Sequence, residues 1–270
     1  MILASHGIIA SSGAGVTFDA DALSFITAAS ISDSTQKTAI NTLVTDLKTY
    51  NIWTKMKALY PFVGGSASSH KFNLKDPRDL DAAYRLVFNG GWTHSSTGAK
   101  PNGTTGYANT FFNPTTGYIV NNSAHISYYS RTNSSISSNN EIGCYDVNNL
   151  IVSSRRSDQG NNTFLYANTV SGGIGFSDAD SLGFYVANRI NNQANGFKNG
   201  ISKGSNTVAD NARNNREIVI GANNAIALGI IQFTSKEAAF SSIGDGLTDT
   251  EESNFYTAVQ NYNTTLNRQV

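Results

Sequence analysis

From Gly64 onward, short apolar runs alternate with glycine, asparagine and proline, and this pattern constrains the fold more than any other feature of the sequence. Runs of roughly four to eight residues between turn residues are typical of strands in a sandwich or barrel. Phe184 and Val186 fall on one side of such a run and Tyr185 on the other, as side chains in a strand alternate. The pattern predicts strands at residues 83–88, 106–112, 118–121, 124–130, 141–145, 149–153, 163–168 and 183–188.

The last third of the chain adds a hairpin signal and a helix start. A two-residue type I′ turn requires positive φ at both central positions, which Asn199-Gly200 would tolerate. Further strands are expected at residues 218–222 and 230–233, the second of them buried. Thr248 and Glu251 then make a capping-box pattern, in which each side chain satisfies a free backbone N–H. We expect a terminal helix whose apolar side contains Phe255, Val259, Tyr262 and Leu266.

Helices are also expected before the strands, over residues 19–29 and 33–50. Asp33 and Gln36 repeat the capping-box pattern. The second helix carries apolar residues at i, i+3, i+4 and i+7, which require a partner surface; they are Ile40, Leu43, Val44 and Leu47. This apolar content continues through Trp53, Met56 and Leu59 to Pro61. The chain thus divides into an arm (1–17), flexible or ordered by a partner, a helical segment (18–63), and a sandwich with its terminal helix (64–270).

Charge and cysteine content exclude several classes of protein. Lys+Arg and Asp+Glu both number 19, so no net field attracts nucleic acid. A single cysteine, Cys144, allows no disulfide within the chain and is expected to be buried. No stretch reaches the roughly 20 apolar residues of a membrane span. The first ten residues lack the basic start of a signal peptide, so no export signal is expected.

The order of hairpin, strand, strand and capped helix resembles the closing half of the concanavalin A-like (laminin G-type) jelly roll. The resemblance rests on residues 197–201, 218–222 and 247–256 and covers roughly residues 72–270. It implies a β-sandwich with a broad role in recognition, without naming a ligand. The expected fold is therefore mainly β, a jelly-roll sandwich with an N-terminal helical segment and a C-terminal helix.

A second resemblance is to virion proteins of Bacteroidetes-type (crAss-like) tailed phages. It is carried by residues 40–44, 53–65, 73–83 and 240–249 and spans most of the chain. It implies a virion component, such as a head fibre, a tail fibre or a tail-associated adhesin, and it assigns no site residues. Charged residues are only 14% of the chain, as in many proteins exposed outside the cell. Without an export signal, this composition fits a particle assembled in the cytoplasm and released by lysis.

Paired acids that would cleave a sugar are absent from the sequence. Glycoside hydrolases of the jelly-roll superfamily carry Glu-x-Asp-x-x-Glu on one strand, since side chains two apart face the same sugar. None of the five glutamates here has an aspartate two residues on, so no catalytic residues and no enzymatic activity are predicted. The histidines lack zinc-ligand spacing, and no cofactor is expected. Calcium at Asp178 and Asp180 is the open alternative, although turn formation explains these residues as well.

The candidate ligand-binding residues are Trp92, Tyr107 and Asn109. An exposed aromatic ring can stack on a sugar, and an amide can bind its hydroxyl groups. Trp92 follows two glycines and is also readily explained as a core aromatic.

The leading hypothesis is a phage virion structural protein with a lectin-like domain that contacts host-surface glycans. Its partners would be other virion proteins, bound through the N-terminal arm, and host glycans. Nucleic-acid binding and membrane insertion are not expected. The protein is expected to form a homo-oligomer, and the precedent of fibre proteins favours a trimer. The alternatives are a secreted carbohydrate-active enzyme or its binding module, and a purely architectural capsid or tail protein without a ligand.

Overall fold

A computed structural model describes residues 17–118, 122–208 and 213–270, of which more belong to strands than to helices, and the strands form two large sheets. In chain order the described strands are β1 (Met56–Tyr60), β2 (Val87–Asn89), β3 (Trp92–Ser95), β4 (Gly98–Pro101), β5 (Tyr107–Asn109), β6 (Ser123–Ser130), β7 (Ile142–Tyr145), β8 (Asn149–Arg156), β9 (Asn162–Thr169), β10 (Ile174–Ser177), β11 (Gly183–Ile190), β12 (Gln193–Lys198), β13 (Ile201–Thr207), β14 (Val219–Ile220), β15 (Asn223–Ala225), β16 (Gly229–Ile231) and β17 (Ala238–Gly244).

The strands form two stacked sheets. The first has the order β13-β12-β11-β6-β17-β4-β3, with β1 paired to β17. The second has the order β10-β9-β8-β7-β14-β5-β2, and the β15–β16 hairpin joins it beside β7. The described pairings are antiparallel, apart from the parallel contact between β15 and β7. The mainly β sandwich expected from the sequence is confirmed.

Three longer helices, α1, α2 and α5, pack on the outer face of the first sheet. The described helices are α1 (Ala20–Ala28), α2 (Ser34–Thr49), α3 (Ala67–His70), α4 (Pro114–Gly117) and α5 (Asp249–Thr265). The predicted capping box of Thr248 and Glu251 is confirmed at the start of α5. At α2 only half of the box forms. Asp33 accepts from the Gln36 N–H, but the Gln36 side chain accepts from Gly64 N at 2.9 Å and ties the loop after β1 to the helix.

The first sheet is buried on both faces. Phe184 and Val186 of β11 enter the core beneath the helices together with Phe255 of α5. Tyr185 and Ala187, on the opposite side of the same strand, enter the core between the sheets. Both cores therefore depend on one register, because a slip by one residue would exchange the two sets of side chains.

The Asn199-Gly200 turn joins β12 and β13 as predicted. Its residues have φ of 53° and 70°, the left-handed values of a type I′ turn. The predicted buried cysteine is also confirmed, with Cys144 fully enclosed between the sheets.

Three local predictions were wrong. Residues 56–60, expected to continue the helical segment, form β1, because Leu59 reaches the helical core while Ala58 and Tyr60 reach the inter-sheet core. Residues 83–88 begin with a 3₁₀ turn, and β2 starts only at Val87, after Tyr84 adopts φ of 59°. The run at 230–233 yields the half-exposed β16 instead of a buried strand.

Two predictions fall outside the described residues: the N-terminal arm, except for Thr17, and most of the strand expected at 118–121. Tyr118 itself lies at the end of α4. None of the helices within the described ranges combines the length and apolarity that a bilayer span requires.

Replacing Phe184 by alanine is expected to lower the free energy of unfolding by about 3–5 kcal/mol, because it leaves a cavity where β11 meets α5. The ring is fully buried and lies edge-on to Phe255 at 5.2 Å between centroids. Urea denaturation measures the change. The control is Leu23→Ala on α1, where the side chain is 50% exposed and the loss should stay below about 0.5 kcal/mol. Equal losses in both variants would contradict this packing.

Candidate functional site

The candidate site is a cleft of about 260 Å³ on the outer face of the second sheet. The long helices pack on the first sheet, whereas Tyr145 and Leu228 on this face of the second sheet are exposed. The volume lies just below the roughly 300–1,000 Å³ common for small-molecule sites. Aromatic, aliphatic, amide and hydroxyl groups dominate the lining, which consists of Asn140, Tyr145, Asn149, Ile151, Ser153, Arg156, Tyr166, Asn223, Ala225, Leu228, Ile231 and Gln232.

Strand register sets the floor of the cleft. Ile151 of β8 lies opposite Gly143 of β7 on one side and Tyr166 of β9 on the other. A Cβ on Gly143 would approach the Ile151 side chain to 2.9 Å and the Leu150 carbonyl oxygen to 2.7 Å. Glycine at this position therefore leaves room for the Ile151 side chain, which forms an apolar floor at the centre of the face.

Two tyrosines border this floor. The Tyr166 ring is parallel to Phe164, with 6.4 Å between centroids and 20° between planes. It also covers Gly173, where an added Cβ would lie 2.4 Å from the ring. Contacts on both sides hold Tyr166 in one orientation, while Tyr145 is 37% exposed. Rigid, partly exposed rings of this kind suit stacking against a ligand.

An amide network forms one wall. Gln232 Oε1 accepts from Asn140 Nδ2 at 2.6 Å and from Asn223 Nδ2 at 3.3 Å, and Gln232 Nε2 donates to Ser138 Oγ at 3.1 Å. Gln232 and Ser138 have φ of 57° and 52°, a left-handed conformation that costs non-glycine residues about 1–3 kcal/mol. Since such strain persists only where surrounding contacts fix it, the wall is preorganised.

The guanidinium of Arg156 is already paired. Its Nε donates to Asp158 Oδ1 at 3.1 Å, and its Nη2 donates to Asp158 Oδ2. Ser138 N also donates to Asp158 Oδ1 at 2.9 Å. The hydrogen bonds from Arg156 lower the pKa of Asp158 well below its ordinary value. The carboxylate therefore stays charged and balances Arg156 at the edge of the cleft.

A buried ion pair lies behind the amide wall. Lys236 Nζ is 3.0 Å from Glu141 Oε1, and both side chains are fully buried. Glu141 Oε2 accepts from Ser154 N at 2.7 Å, and Lys236 Nζ donates to Ser154 Oγ at 3.0 Å. Burial lowers the pKa of Lys236, and the Glu141 carboxylate opposes that shift. Glu141 precedes β7 and Lys236 precedes β17, so the pair connects the two sheets.

Trp92 and Tyr107, predicted as ligand contacts, lie together but away from the second-sheet cleft. Trp92 is half-buried, and its Nε1 donates to the carbonyl oxygens of Asn89 at 3.1 Å and Tyr107 at 3.3 Å. Its ring stacks on His94 at 6.1 Å and lines a separate cleft of about 470 Å³. These contacts describe a core-edge aromatic.

Asn109, the third predicted ligand contact, is held by neighbouring groups. Its Nδ2 donates to Glu217 Oε2 at 2.6 Å, and its Oδ1 accepts from Phe111 N at 3.1 Å. Both ends of the amide thus fix the turn after β5. Glycan binding by Trp92, Tyr107 and Asn109 stays a prediction.

Asp178 and Asp180, the candidate calcium ligands, share an ammonium group. Lys198 Nζ lies 2.6 Å from Asp178 Oδ1 and 3.0 Å from Asp180 Oδ1. Asp178 Oδ2 also accepts from Thr163 Oγ1 and the Tyr185 hydroxyl. Within the described ranges, no group of three or more His, Cys, Asp or Glu side chains is placed to hold a metal. Calcium binding stays a prediction, and it would require displacing Lys198.

Sequence reasoning missed Tyr145, Tyr166, Asn223 and Gln232. A signal was present for the tyrosines, because each directly follows an inward-facing residue of a strand, Cys144 or Leu165, and so must face outward. No comparable signal marked the amides, since Asn223 and Gln232 reach the cleft through pairing of the β15–β16 hairpin.

Comparison with known proteins finds no matching family model and no similar curated protein. Among solved structures, the chain is similar to the binding domain of botulinum neurotoxin DC in complex with rat synaptotagmin II, with a TM-score of 0.50, 12% identity, and coverage of 77% of this chain and 52% of that chain. The binding domain of Paraclostridial mosquitocidal protein 1 gives a TM-score of 0.48, 11% identity, and coverage of 76% and 52%.

A third similar structure is domain 4 of an extracellular arabinanase from Geobacillus stearothermophilus in complex with arabinotriose. It gives a TM-score of 0.46, 14% identity, and coverage of 74% of this chain and 98% of that chain. The chain spans about half the length of the toxin binding domains that it matches. At this identity the likeness to the neurotoxin domain establishes a shared β-sandwich fold and nothing finer.

Lys236→Met is expected to destabilise the protein by about 3–5 kcal/mol, because it leaves the Glu141 charge buried without its partner. The double variant Glu141→Gln with Lys236→Met removes both charges and should recover most of that loss. Chemical denaturation of the wild type, of Lys236→Met and Glu141→Gln singly, and of the double variant gives the coupling energy. If the double variant is as unstable as Lys236→Met alone, the pair does not connect the sheets in this way.

Proposed function

We propose that this chain is a non-catalytic carbohydrate-binding β-sandwich whose saccharide binds in the cleft on the outer face of the second sheet. One observation carries the proposal: two tyrosines, an apolar floor and four amides converge in that cleft. Saccharides combine apolar C–H faces with a rim of hydroxyl groups. This lining offers a matching surface for both.

The tyrosines supply the stacking surface. Tyr166 is fixed by Phe164 and Gly173, so little side-chain freedom is lost when a sugar covers the ring. Tyr145 adds a second, more exposed ring. Ile151 and Ile231 complete the apolar surface between them.

The lining also favours binding over hydrolysis. Glycosidases place two carboxyl groups about 5–9.5 Å apart across the scissile bond. Of the described residues that line the cleft, none is an aspartate or glutamate. The nearby acids are paired, Glu141 with Lys236 and Asp158 with Arg156. A sugar bound here meets no acid–base pair.

Tyr166→Ala is expected to weaken saccharide binding at least about fivefold, because truncating a central stacking ring removes about 1–3 kcal/mol of binding energy. A glycan array identifies a ligand, and titration calorimetry then compares the variants. The matched control is Tyr107→Ala, which truncates a half-buried tyrosine outside the cleft. Loss of binding in Tyr107→Ala with full binding in Tyr166→Ala would move the site to the neighbourhood of Trp92. A blank array would favour a purely architectural protein.

We further propose that the domain belongs to the virion of a tailed phage, where it contacts host-surface glycans as part of a head or tail appendage and assembles as a homo-oligomer. The support is the resemblance carried by residues 40–44, 53–65, 73–83 and 240–249. Mass spectrometry of purified particles is expected to detect the chain at a stoichiometry of many copies. Its absence from particles that infect normally would refute the virion assignment and leave the carbohydrate proposal standing.

A further inference from the structure

The amides of the cleft direct their N–H groups into the protein. Asn140 and Asn223 both donate to Gln232 Oε1, and Gln232 donates to Ser138 Oγ. Asn149 Nδ2 donates to the carbonyl oxygens of Thr169 and Val170, both at 3.3 Å. Four amides that line one cleft therefore each use at least one N–H group in holding the walls, and the acceptors of these walls are their carbonyl oxygens.

One of these carbonyl oxygens is buried and unsatisfied. Asn223 is only 3% exposed, and its Oδ1 has no hydrogen-bond partner among the residues that the structure describes. A buried acceptor without a donor is unfavourable, and native proteins keep few of them. A ligand hydroxyl would supply the missing donor at this wall.

The cleft also carries no net charge. Arg156 is the one charged residue in the described lining, and Asp158 binds it through two hydrogen bonds. Behind the wall, Lys236 and Glu141 cancel in the same way. An anionic ligand would meet the Asn223 carbonyl oxygen, and the Arg156 cation is already balanced by Asp158, so its desolvation would be unfavourable.

We infer that the cleft selects uncharged saccharides that present hydroxyl donors and discriminates against their carboxylate, sulfate and phosphate counterparts. This inference rests on the proposed function, since it specifies the ligand class of the same site. The unsatisfied Asn223 Oδ1 favours a hydroxyl group, which can donate, over an ionised group, which can only accept. Tyr166 and Tyr145 bind the sugar face in either case, so the discrimination arises at the amides and at Arg156.

Matched pairs of oligosaccharides test the ligand class with the wild-type chain. Each neutral sugar is placed on a glycan array together with its counterpart oxidised to a uronic acid at C6. The affinity for each sugar is then measured in a separate titration. The neutral member of each bound pair is expected to bind at least tenfold more tightly. Its affinity should change less than about twofold between low and high salt, because no ion pair forms. Tighter binding of the acidic sugars would overturn the inferred selectivity and leave the proposed carbohydrate binding standing. If no glycan binds, both the selectivity and the proposed function are overturned.

Asn223→Ala separates ligand recognition from structure. It is expected to lower affinity for the neutral sugar about tenfold and to lower the melting temperature less than its control does, because it removes an acceptor that the protein leaves unsatisfied and a single hydrogen bond, the 3.3 Å contact to Gln232. The control is Asn73→Ala. That buried amide accepts from Leu59 N and Lys75 N and donates to Ala83 O, so its loss should lower the melting temperature and leave affinity unchanged. Unchanged affinity in Asn223→Ala would overturn the role assigned to this wall.

Asp158→Asn tests the contribution of charge. The variant keeps the position of the side chain but no longer balances Arg156. The ratio of neutral to acidic sugar affinity is expected to fall at least threefold, and the acidic member should become sensitive to salt. An unchanged ratio would show that the Arg156–Asp158 pair does not set the selectivity.

Discussion

The burial of the first sheet on both faces is the constraint on which the rest of the structure depends. Phe184, Phe197 and Phe240 face the helices, and Tyr185 and Ile243 face the second sheet. Each Å² of apolar surface removed from water contributes about 25 cal/mol, so two buried faces stabilise this sheet more than one would. The long helices pack on the first sheet, and the outer face of the second sheet carries exposed side chains.

That free face is shaped by contacts that the cores make possible. The buried pair of Lys236 and Glu141 fixes the segment entering β7 against the segment entering β17. A buried ion pair adds little net stability compared with apolar residues of similar volume. Its effect here is to fix the position of the segment entering β7. That segment carries Asn140, so the ion pair also positions the amide wall. The left-handed conformation of Gln232 is tolerated because Asn140 and Ser138 hold it from both sides.

Local signals in the sequence were reliable where a few neighbouring residues decide the outcome. The Asn199-Gly200 turn formed because asparagine and glycine tolerate φ above zero more readily than other residues do. Thr248 and Glu251 satisfy backbone groups within one turn of helix, and their box formed as expected. The capping box of Asp33 and Gln36 formed only in part, since Gly64 from a distant loop competes for the Gln36 side chain.

The sequence by itself determined that this chain is a sandwich with helices at its start and end, because strand alternation, turn residues and helix caps are encoded within short windows. Tertiary structure decided which of these strands are covered. Met56–Tyr60 became a strand through pairing with β17, and Lys198 reached Asp178 and Asp180 from another strand. The cleft likewise combines the consecutive strands β7, β8 and β9 with the β15–β16 hairpin, which is distant from them along the chain. Pairings between distant segments depend on the packing of the whole molecule, and no short stretch of residues specifies them.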